Sequence, residues 1–218
     1  FLIAFCLHIL IVFFVFYTNF QPFSGGRGDY TDYHADALIV AERVRQANFS
    51  VQGLLTSHLY PVIVGYLYVF IAPSMLIGEL FNGWLIALIS LEVYFIVREM
   101  GRTKKEGFIV GIVATLYPSL TFFGSLLLKE PTIIIFALAS LLLILKLIKN
   151  FSWWKFSFLY VSLVCATHFR FYMGYALILA FCASWLLSDY GIKKKLAYGL
   201  IMVVLIGFVP QLAQGTDA

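Results

Sequence analysis

The sequence predicts an all-α, polytopic membrane protein, and this prediction rests on its composition and on its continuous apolar runs. Hydrophobic residues make up 62% of the 218 residues and charged residues only 12%, whereas a soluble domain carries about 25% charged residues. The chain therefore has too few polar side chains to cover a globule in water. Its apolar runs are unbroken and do not alternate, which favours helices over the strands of a barrel.

We expect about seven transmembrane helices in a single membrane module that covers residues 1–218, and this module is compatible with being part of a longer polypeptide. Charged or proline-containing segments bound the apolar runs, and the longest runs approach the ~20 residues that cross a bilayer. Pro118 predicts a kink in the third span. The predicted spans are 1–17, 80–97, 108–128, 132–145, 156–168, 175–187 and 196–209.

Segment 61–72 decides the topology. The residues between Pro61 and Pro73 would form a helix about 17 Å long, which is shorter than the ~30 Å hydrocarbon core. Tyrosine is typical of the headgroup level, and the segment is flanked or occupied by Tyr60, Tyr66 and Tyr68. We therefore predict an interfacial helix over 61–72. The alternative is a crossing over 59–77.

The basic clusters predict which face of the protein is outside. Lysine and arginine concentrate at 98–105, 146–155 and 193–195, and all three clusters fall on one side of the predicted topology. The positive-inside rule makes that side cytoplasmic. The large loop 19–60 then lies outside, together with the turns at Lys129 and Arg170, whereas a crossing over 59–77 would move the loop to the cytoplasm.

Loop 19–60 contains most of the polar side chains. From Asp29 onward, apolar residues recur at spacings of three and four and predict a surface helix. Asp29, Asp32 and Asp36 are three and four residues apart, so they could share one face of this helix. The alternative for Asp29 is an N-cap, and Asp32 in the first turn would then stabilise the helix dipole.

Two further turns carry charge on the same predicted face. Lys129 and Glu130 separate two apolar spans, and His168 and Arg170 follow the fifth span. Ionisable groups at membrane depth are candidates for function, and arginine suits phosphate recognition. Each turn also has an ordinary interpretation, as a snorkelling lysine with a solvated glutamate or as an arginine at the lipid headgroups. Together with the acids, the turns would suit a phosphate-bearing lipid substrate.

The order of these motifs resembles the GT-C superfamily of membrane glycosyltransferases, in its mannosyltransferase-like and aminoarabinose-transferase-like branches. GDYTDY at 28–33 follows the first span, and HLYP at 58–61 resembles the (H/K)-x-P-P-L-Y region of those branches. SLLLKEP at 125–131 stands where the family has its second acidic motif, and THFRFYMG at 167–174 where it often has a basic residue. The resemblance covers nearly the whole chain and implies the seven-helix core module of the family, which we expect in a bacterial or archaeal plasma membrane.

The resemblance implies an inverting transfer of sugar from a polyprenyl-phosphate donor to an acceptor on the outer face. Asp29 would be the general base, with Asp32 as the second candidate. Arg170 and Lys129 would neutralise the charge that grows on the departing phosphate. Glu130 would orient a substrate hydroxyl or a divalent metal.

Further expectations follow from the same resemblance. His58 and His168 would contribute to substrate or phosphate binding. Asp29, Asp32 and Glu130 would suit Mg or Mn, although many relatives work without a metal. Membrane lipid and the polyprenyl-phosphate sugar are the expected partners, and nucleic acid is not. The further spans usual in the family would come from a partner subunit or from a longer chain.

Two other functions fit the sequence. A non-catalytic GT-C-like subunit would scaffold a membrane assembly, and its function would survive Asp29→Asn. A transporter for lipid-linked substrates would be favoured by broken helices at the bilayer midplane. The only ionisable residues inside the predicted spans are His8 and Glu92, which counts against a transporter.

Topology is testable directly. A cysteine placed at Ser24 or Ser50 is expected to react with a membrane-impermeant reagent added outside, because the sequence places loop 19–60 on the outer face. Labelling that occurs only from the cytoplasmic side would separate Asp29 from Glu130 and Arg170, and would contradict the proposed site.

Overall fold

The computed structural model describes residues 1–20, 28–50, 52–54, 59–193, 195–196 and 199–200. Every secondary-structure element within these ranges is a helix, which agrees with the all-α prediction. Two predictions, His58 and most of the seventh span over 196–209, lie outside the described residues. The helices are α1 Leu2–Thr18, α2 Asp29–Arg45, α3 Tyr60–Phe70, α4 Met75–Glu99, α5 Lys104–Leu116, α6 Pro118–Gly124, α7 Glu130–Lys149, α8 Trp153–Phe169 and α9 Phe171–Leu186.

Two of these helices, α4 and α7, are long and apolar enough to cross a membrane by themselves. Helices α5 and α6 meet at a bend of 55° and together could form a third span. Shorter apolar helices cover Leu2–Thr18, Tyr60–Phe70 and Tyr172–Leu186. The part of the chain that is described is therefore consistent with a helical membrane protein with two or three such spans, and seven spans remain a prediction.

Prolines set several helix boundaries. The bend between α5 and α6 falls at Pro118, as predicted, because proline lacks the N–H of a helical hydrogen bond and its ring clashes with the preceding turn. Pro131 lies in the first turn of α7, where a missing N–H costs nothing. The predicted third span begins and ends four residues too late, since α5 begins at Lys104, α6 ends at Gly124 and residues 125–129 are not helical.

Helix α3 has 11 residues and is separated from α4 by a break that contains Pro73. Its bounds lie close to those of the helix predicted over 61–72, and its position at the membrane interface remains a prediction. The sequence analysis placed the tyrosines wrongly. Tyr60 and Tyr68 are fully buried in the protein, and of the three only Tyr66 is exposed.

Contacts divide the chain into two compact units, with boundaries inside α4, α5 and α7. The first contains the described residues of 1–91 and 111–132, and the second contains those of 92–110 and from 133 onward. In the first unit α2 packs against α3, and α1 contacts α6. The α2–α3 contact is close because Gly65 has no side chain. A Cβ there would lie 2.6 Å from Val40 Cγ1 and 3.0 Å from the Ala37 carbonyl oxygen.

In the second unit α8 packs against α9 around a buried apolar cluster. Tyr190 ties the loop before α8 to α7, because its hydroxyl donates to the Leu147 carbonyl at 2.9 Å and accepts from the Phe151 N–H at 2.8 Å. Lys149 Nζ forms an ion pair of 3.0 Å with Glu99. The cluster consists of Ile144, Leu147, Phe156, Leu159, Leu163, Ile178, Phe181 and Trp185.

Gly65→Ala is expected to destabilise the protein by about 1–3 kcal/mol, because the new methyl group overlaps α2 and one of its neighbours is backbone. The higher helix propensity of alanine, about 1 kcal/mol, offsets only part of this loss. The measurement is the denaturation midpoint of the purified protein in detergent. Gly191→Ala is the control, since no atom lies within 4 Å of a Cβ there, and equal midpoints for the two variants would contradict the close packing.

Candidate functional site

The acidic helix α2 begins at Asp29, as the sequence predicts. Gly28 is its N-cap residue, so Asp29 is the first helical residue and not the cap itself. The Thr31 hydroxyl donates to the Gly28 carbonyl at 2.7 Å. Asp29 and Asp32 are both exposed in the first turn, where carboxylates interact favourably with the helix dipole. Their placement is compatible both with stabilisation of the helix N-terminus and with a role as solvent-accessible acids.

Asp36 differs from the other two aspartates. It is fully buried, on the face of α2 that also carries Tyr33, Ala37 and Val40. The three carboxylates therefore do not share one environment. The sequence predicts an apolar stripe of Tyr33, Ala37, Val40, Val44 and Ala47. This stripe ends early, because Ala47 is exposed beyond the end of α2.

Lys129 lies directly before α7 and is only 9% exposed. Its Nζ is 5.9 Å from the centroid of the Tyr33 ring, on α2. A cation over an aromatic face is stabilised by about 0.5–2 kcal/mol, and more when water is excluded. The alternative of a lysine that extends into the headgroups does not hold. Glu130, the first residue of α7, is half-buried.

A buried side chain of α4 supports this turn. Asn82 is fully buried, and its Nδ2 donates to the Leu126 carbonyl at 2.7 Å and to the Leu128 carbonyl at 2.8 Å. The Tyr60 hydroxyl donates to Asn82 Oδ1 at 3.0 Å. The Tyr60 ring also meets the Tyr33 ring edge-on, with centroids 5.4 Å apart.

These contacts form a closed series that begins and ends at Tyr33. They run from Tyr33 to Tyr60, on to Asn82, through the Leu128 carbonyl to the adjacent Lys129, and back to Tyr33. We call this set of five residues the contact ring. It joins α2, α3 and α4 to the turn before α7. Two of the three turns that the sequence predicts to converge, those of Asp29 and Lys129, therefore belong to one packed unit.

Burial keeps the phenol of Tyr60 protonated. Its pKa is raised well above the ordinary value of 10.0, chiefly because the hydroxyl is removed from water, and nearby Glu130 and Glu79 raise it further. The hydrogen bond to Asn82 opposes this shift. Tyr60 is therefore a hydrogen-bond donor throughout the physiological pH range.

A second polar pair links α2 to α3 beside the contact ring. His34 Nδ1 and the Tyr68 hydroxyl are 2.8 Å apart. Burial lowers the pKa of His34 from its ordinary value of 6.5 and raises the pKa of Tyr68, with a further contribution from Glu79. Both groups are therefore neutral at pH 7.

Glu79 is a further buried ionisable group. The predicted second span, 80–97, begins just after it, but α4 begins at Met75, so Glu79 lies in the second turn of the helix. It is 2% exposed, and its Oε2 has no hydrogen-bond partner among the described atoms. The same holds for one atom each of His8 and Glu92.

The predicted basic turn lies in the second unit. His168 lies in the last turn of α8 and packs its ring edge-on against Phe169, with centroids 6.1 Å apart. Arg170 separates α8 from α9. Its Nη1 donates to the Tyr172 hydroxyl at 2.5 Å, and the guanidinium lies 5.7 Å from that ring. The convergence of Arg170 with Asp29 remains a prediction.

Metal binding is also a prediction. Within the described ranges, no three His, Cys, Asp or Glu side chains form a group that could hold a metal ion. Comparison with known proteins adds no assignment, since no family model, curated protein or solved structure matches this chain.

Sequence reasoning missed Asn82. Its signal was available, because it is an amide inside the mostly apolar run 80–97, and a polar residue in a predicted span commonly has a specific partner. The partners themselves, the carbonyls of Leu126 and Leu128, lie more than 40 residues away, and no local pattern indicates them.

Acidification is expected to destabilise the protein through His34. The unfolded chain takes up a proton near pH 6.5, while the folded state resists because its pKa is lower. Stability is therefore complete above the unfolded pKa and is lost as the pH falls below it toward the folded pKa. Thermal midpoints between about pH 7.5 and pH 5 measure this effect. His34→Gln should show a smaller decline, and a decline as steep as that of the wild type would contradict the assignment.

Proposed function

We propose that this chain is a membrane glycosyltransferase of the GT-C type, which transfers a sugar from a polyprenyl-phosphate donor to an acceptor hydroxyl on the outer face. The observation that carries the proposal is the contact between α2, which presents Asp29 and Asp32 to solvent, and the buried ammonium of Lys129 over Tyr33. An accessible carboxylate and a cation on a neighbouring turn are what a transfer from a phosphate leaving group requires.

The reaction is a single displacement. Asp29 accepts the proton of the acceptor hydroxyl while its oxygen forms a bond to the anomeric carbon of the sugar. The bond between that carbon and the phosphate oxygen of the donor breaks, and its electron pair leaves with the polyprenyl phosphate. Attack from the side opposite the leaving group inverts the configuration. Asp32 is the second candidate for the base.

The departing phosphate gains negative charge, and Lys129 is proposed to neutralise it. Tyr33 holds the ammonium from one side, and the low exposure of Lys129 strengthens its electrostatic effect because little water screens it. Arg170 would add a second cation, suited to phosphate by its planar donor geometry. Glu130, His58 and His168 would orient the substrates.

The membrane arrangement is part of the proposal. Helices α4 and α7 and the bent pair of α5 and α6 would cross the bilayer, and α1, α8, α9 and the segment 196–209 would complete seven spans. Helices α2 and α3 would lie at the outer surface of a bacterial or archaeal plasma membrane, since α3 is too short to cross.

Asp29→Asn is expected to lower the rate of transfer by about 10²–10⁴-fold, because the amide cannot accept the proton. The assay follows release of polyprenyl phosphate from a panel of polyprenyl-phosphate sugars by the full polypeptide in membrane vesicles. Glu42→Gln is the matched control, since it neutralises another exposed acid on the same helix. Its rate should remain within about twofold of the wild type.

Expression level and thermal midpoint are measured for both variants, so that a folding defect is recognised. Loss of activity in Asp29→Asn with an unchanged midpoint supports the enzyme. An active Asp29→Asn variant would transfer the role to Asp32, and an active Asp29→Asn/Asp32→Asn variant would contradict catalysis by α2. A chain with no activity on any donor, whose membrane assembly survives Asp29→Asn, would instead fit the non-catalytic scaffold.

A further inference from the structure

The turn that carries Lys129 lies between two helices and has carbonyl groups that need donors. Helix α6 ends at Gly124 and α7 starts at Glu130, so residues 125–129 make no helical ladder. Leu126 and Leu127 are buried, which excludes water from this part of the turn. A carbonyl buried there without a partner destabilises the fold.

Asn82 meets this need with one side chain. Its two amide hydrogens reach the Leu126 and Leu128 carbonyls at 2.7 and 2.8 Å. The Leu128 N–H also donates to the Leu126 carbonyl at 2.9 Å. The spacing of the two carbonyls thus matches the fork of a single primary amide. This geometry fixes the backbone immediately before Lys129.

The carbonyls of the turn determine which way the Asn82 amide faces, and Tyr60 satisfies the amide oxygen. Nδ2 points to the turn and Oδ1 points to α3, where the Tyr60 hydroxyl donates to it. An amide rotated by half a turn would place Oδ1 against two carbonyl oxygens, which cannot donate. The observed orientation is therefore the one in which all the partners are satisfied.

The same tyrosine contacts the aromatic ring that receives the lysine. Tyr60 packs edge-on against Tyr33, and Lys129 Nζ lies over Tyr33. Tyr60 therefore contacts Asn82, which orders the turn before Lys129, and also Tyr33, whose ring lies under the Lys129 ammonium.

We propose that Tyr60 and Asn82 are positioning residues, which hold the Lys129 ammonium in place for the donor phosphate through the contact ring. The proposal rests on the proposed glycosyl transfer for its functional consequence, whereas its structural content, an ordered turn at 125–129, is independent of activity. Neither residue touches the reacting atoms. Both act through Lys129.

Tyr60→Phe tests the proposal with the smallest change. It keeps the ring against Tyr33 and removes only the donor to Asn82. Hydrogen–deuterium exchange of the amides of 126–130 is expected to rise at least ~10-fold, and kcat for transfer to fall about 10- to 100-fold with little change in the KM of the donor. Asn82→Leu, which has a similar volume and no donor, should raise exchange further.

Two controls match these variants. Tyr66→Phe removes a hydroxyl from the exposed tyrosine of the same helix. Ser90→Ala removes a buried hydroxyl of α4 that is hydrogen-bonded to Thr115. Both should leave exchange at 126–130 and kcat within about twofold of the wild type.

A double-mutant cycle decides whether the effect passes through Lys129. Tyr60→Phe combined with Lys129→Met should lose little more activity than Lys129→Met alone, because the group being positioned is already absent. Additive losses would overturn the proposal, and so would unchanged exchange in Tyr60→Phe and Asn82→Leu. If the wild type transfers no sugar, the proposed function fails, and the exchange measurement alone confirms or overturns the role of the pair in ordering the turn.

Discussion

The hydrogen bonds from Asn82 to the carbonyls of Leu126 and Leu128 are the interaction on which the first unit depends. In an apolar interior, a break between helices leaves backbone groups that water cannot reach. A single amide on α4 supplies the donors at this break. The turn can therefore depart from helical geometry although it is buried, where unpaired carbonyls would destabilise the fold. The same hydrogen bonds order the backbone just before Lys129 and Glu130.

Buried tyrosines connect this ordered turn to α2. Tyr33, Tyr60 and Tyr68 are all buried at or next to the α2–α3 contact, and tyrosine suits such a place because its ring packs while its hydroxyl bonds. Tyr60 donates to Asn82 and Tyr68 contacts His34, so two polar tips that would otherwise be isolated are satisfied. The absence of a side chain at Gly65 lets the helices approach closely enough for these contacts.

The packing of this unit places the aspartates of α2 in two different environments. Asp36 is enclosed, whereas Asp29 and Asp32 remain in contact with solvent at the start of α2. A base that serves an acceptor from outside must be accessible, and a cation that stabilises a leaving phosphate is more effective where water is scarce. In the proposed transfer, the exposure of Asp29 and the burial of Lys129 would divide these two requirements between neighbouring elements.

By itself the sequence determined the helical class, most helix positions and the candidate residues. Neighbouring residues alone determine the apolar helices, the bend at Pro118 and the start of α2 at Asp29. This is because helical hydrogen bonds and restrictions on φ act within a few residues. Only the tertiary structure decided that Lys129 is buried over Tyr33, that Tyr60 faces the protein and not the headgroups, and that Asn82 joins α4 to a turn 44 to 46 residues later. The reason is physical. A polar residue in an apolar run indicates that a hydrogen-bond partner exists, but which carbonyl comes within hydrogen-bond distance depends on how the helices pack.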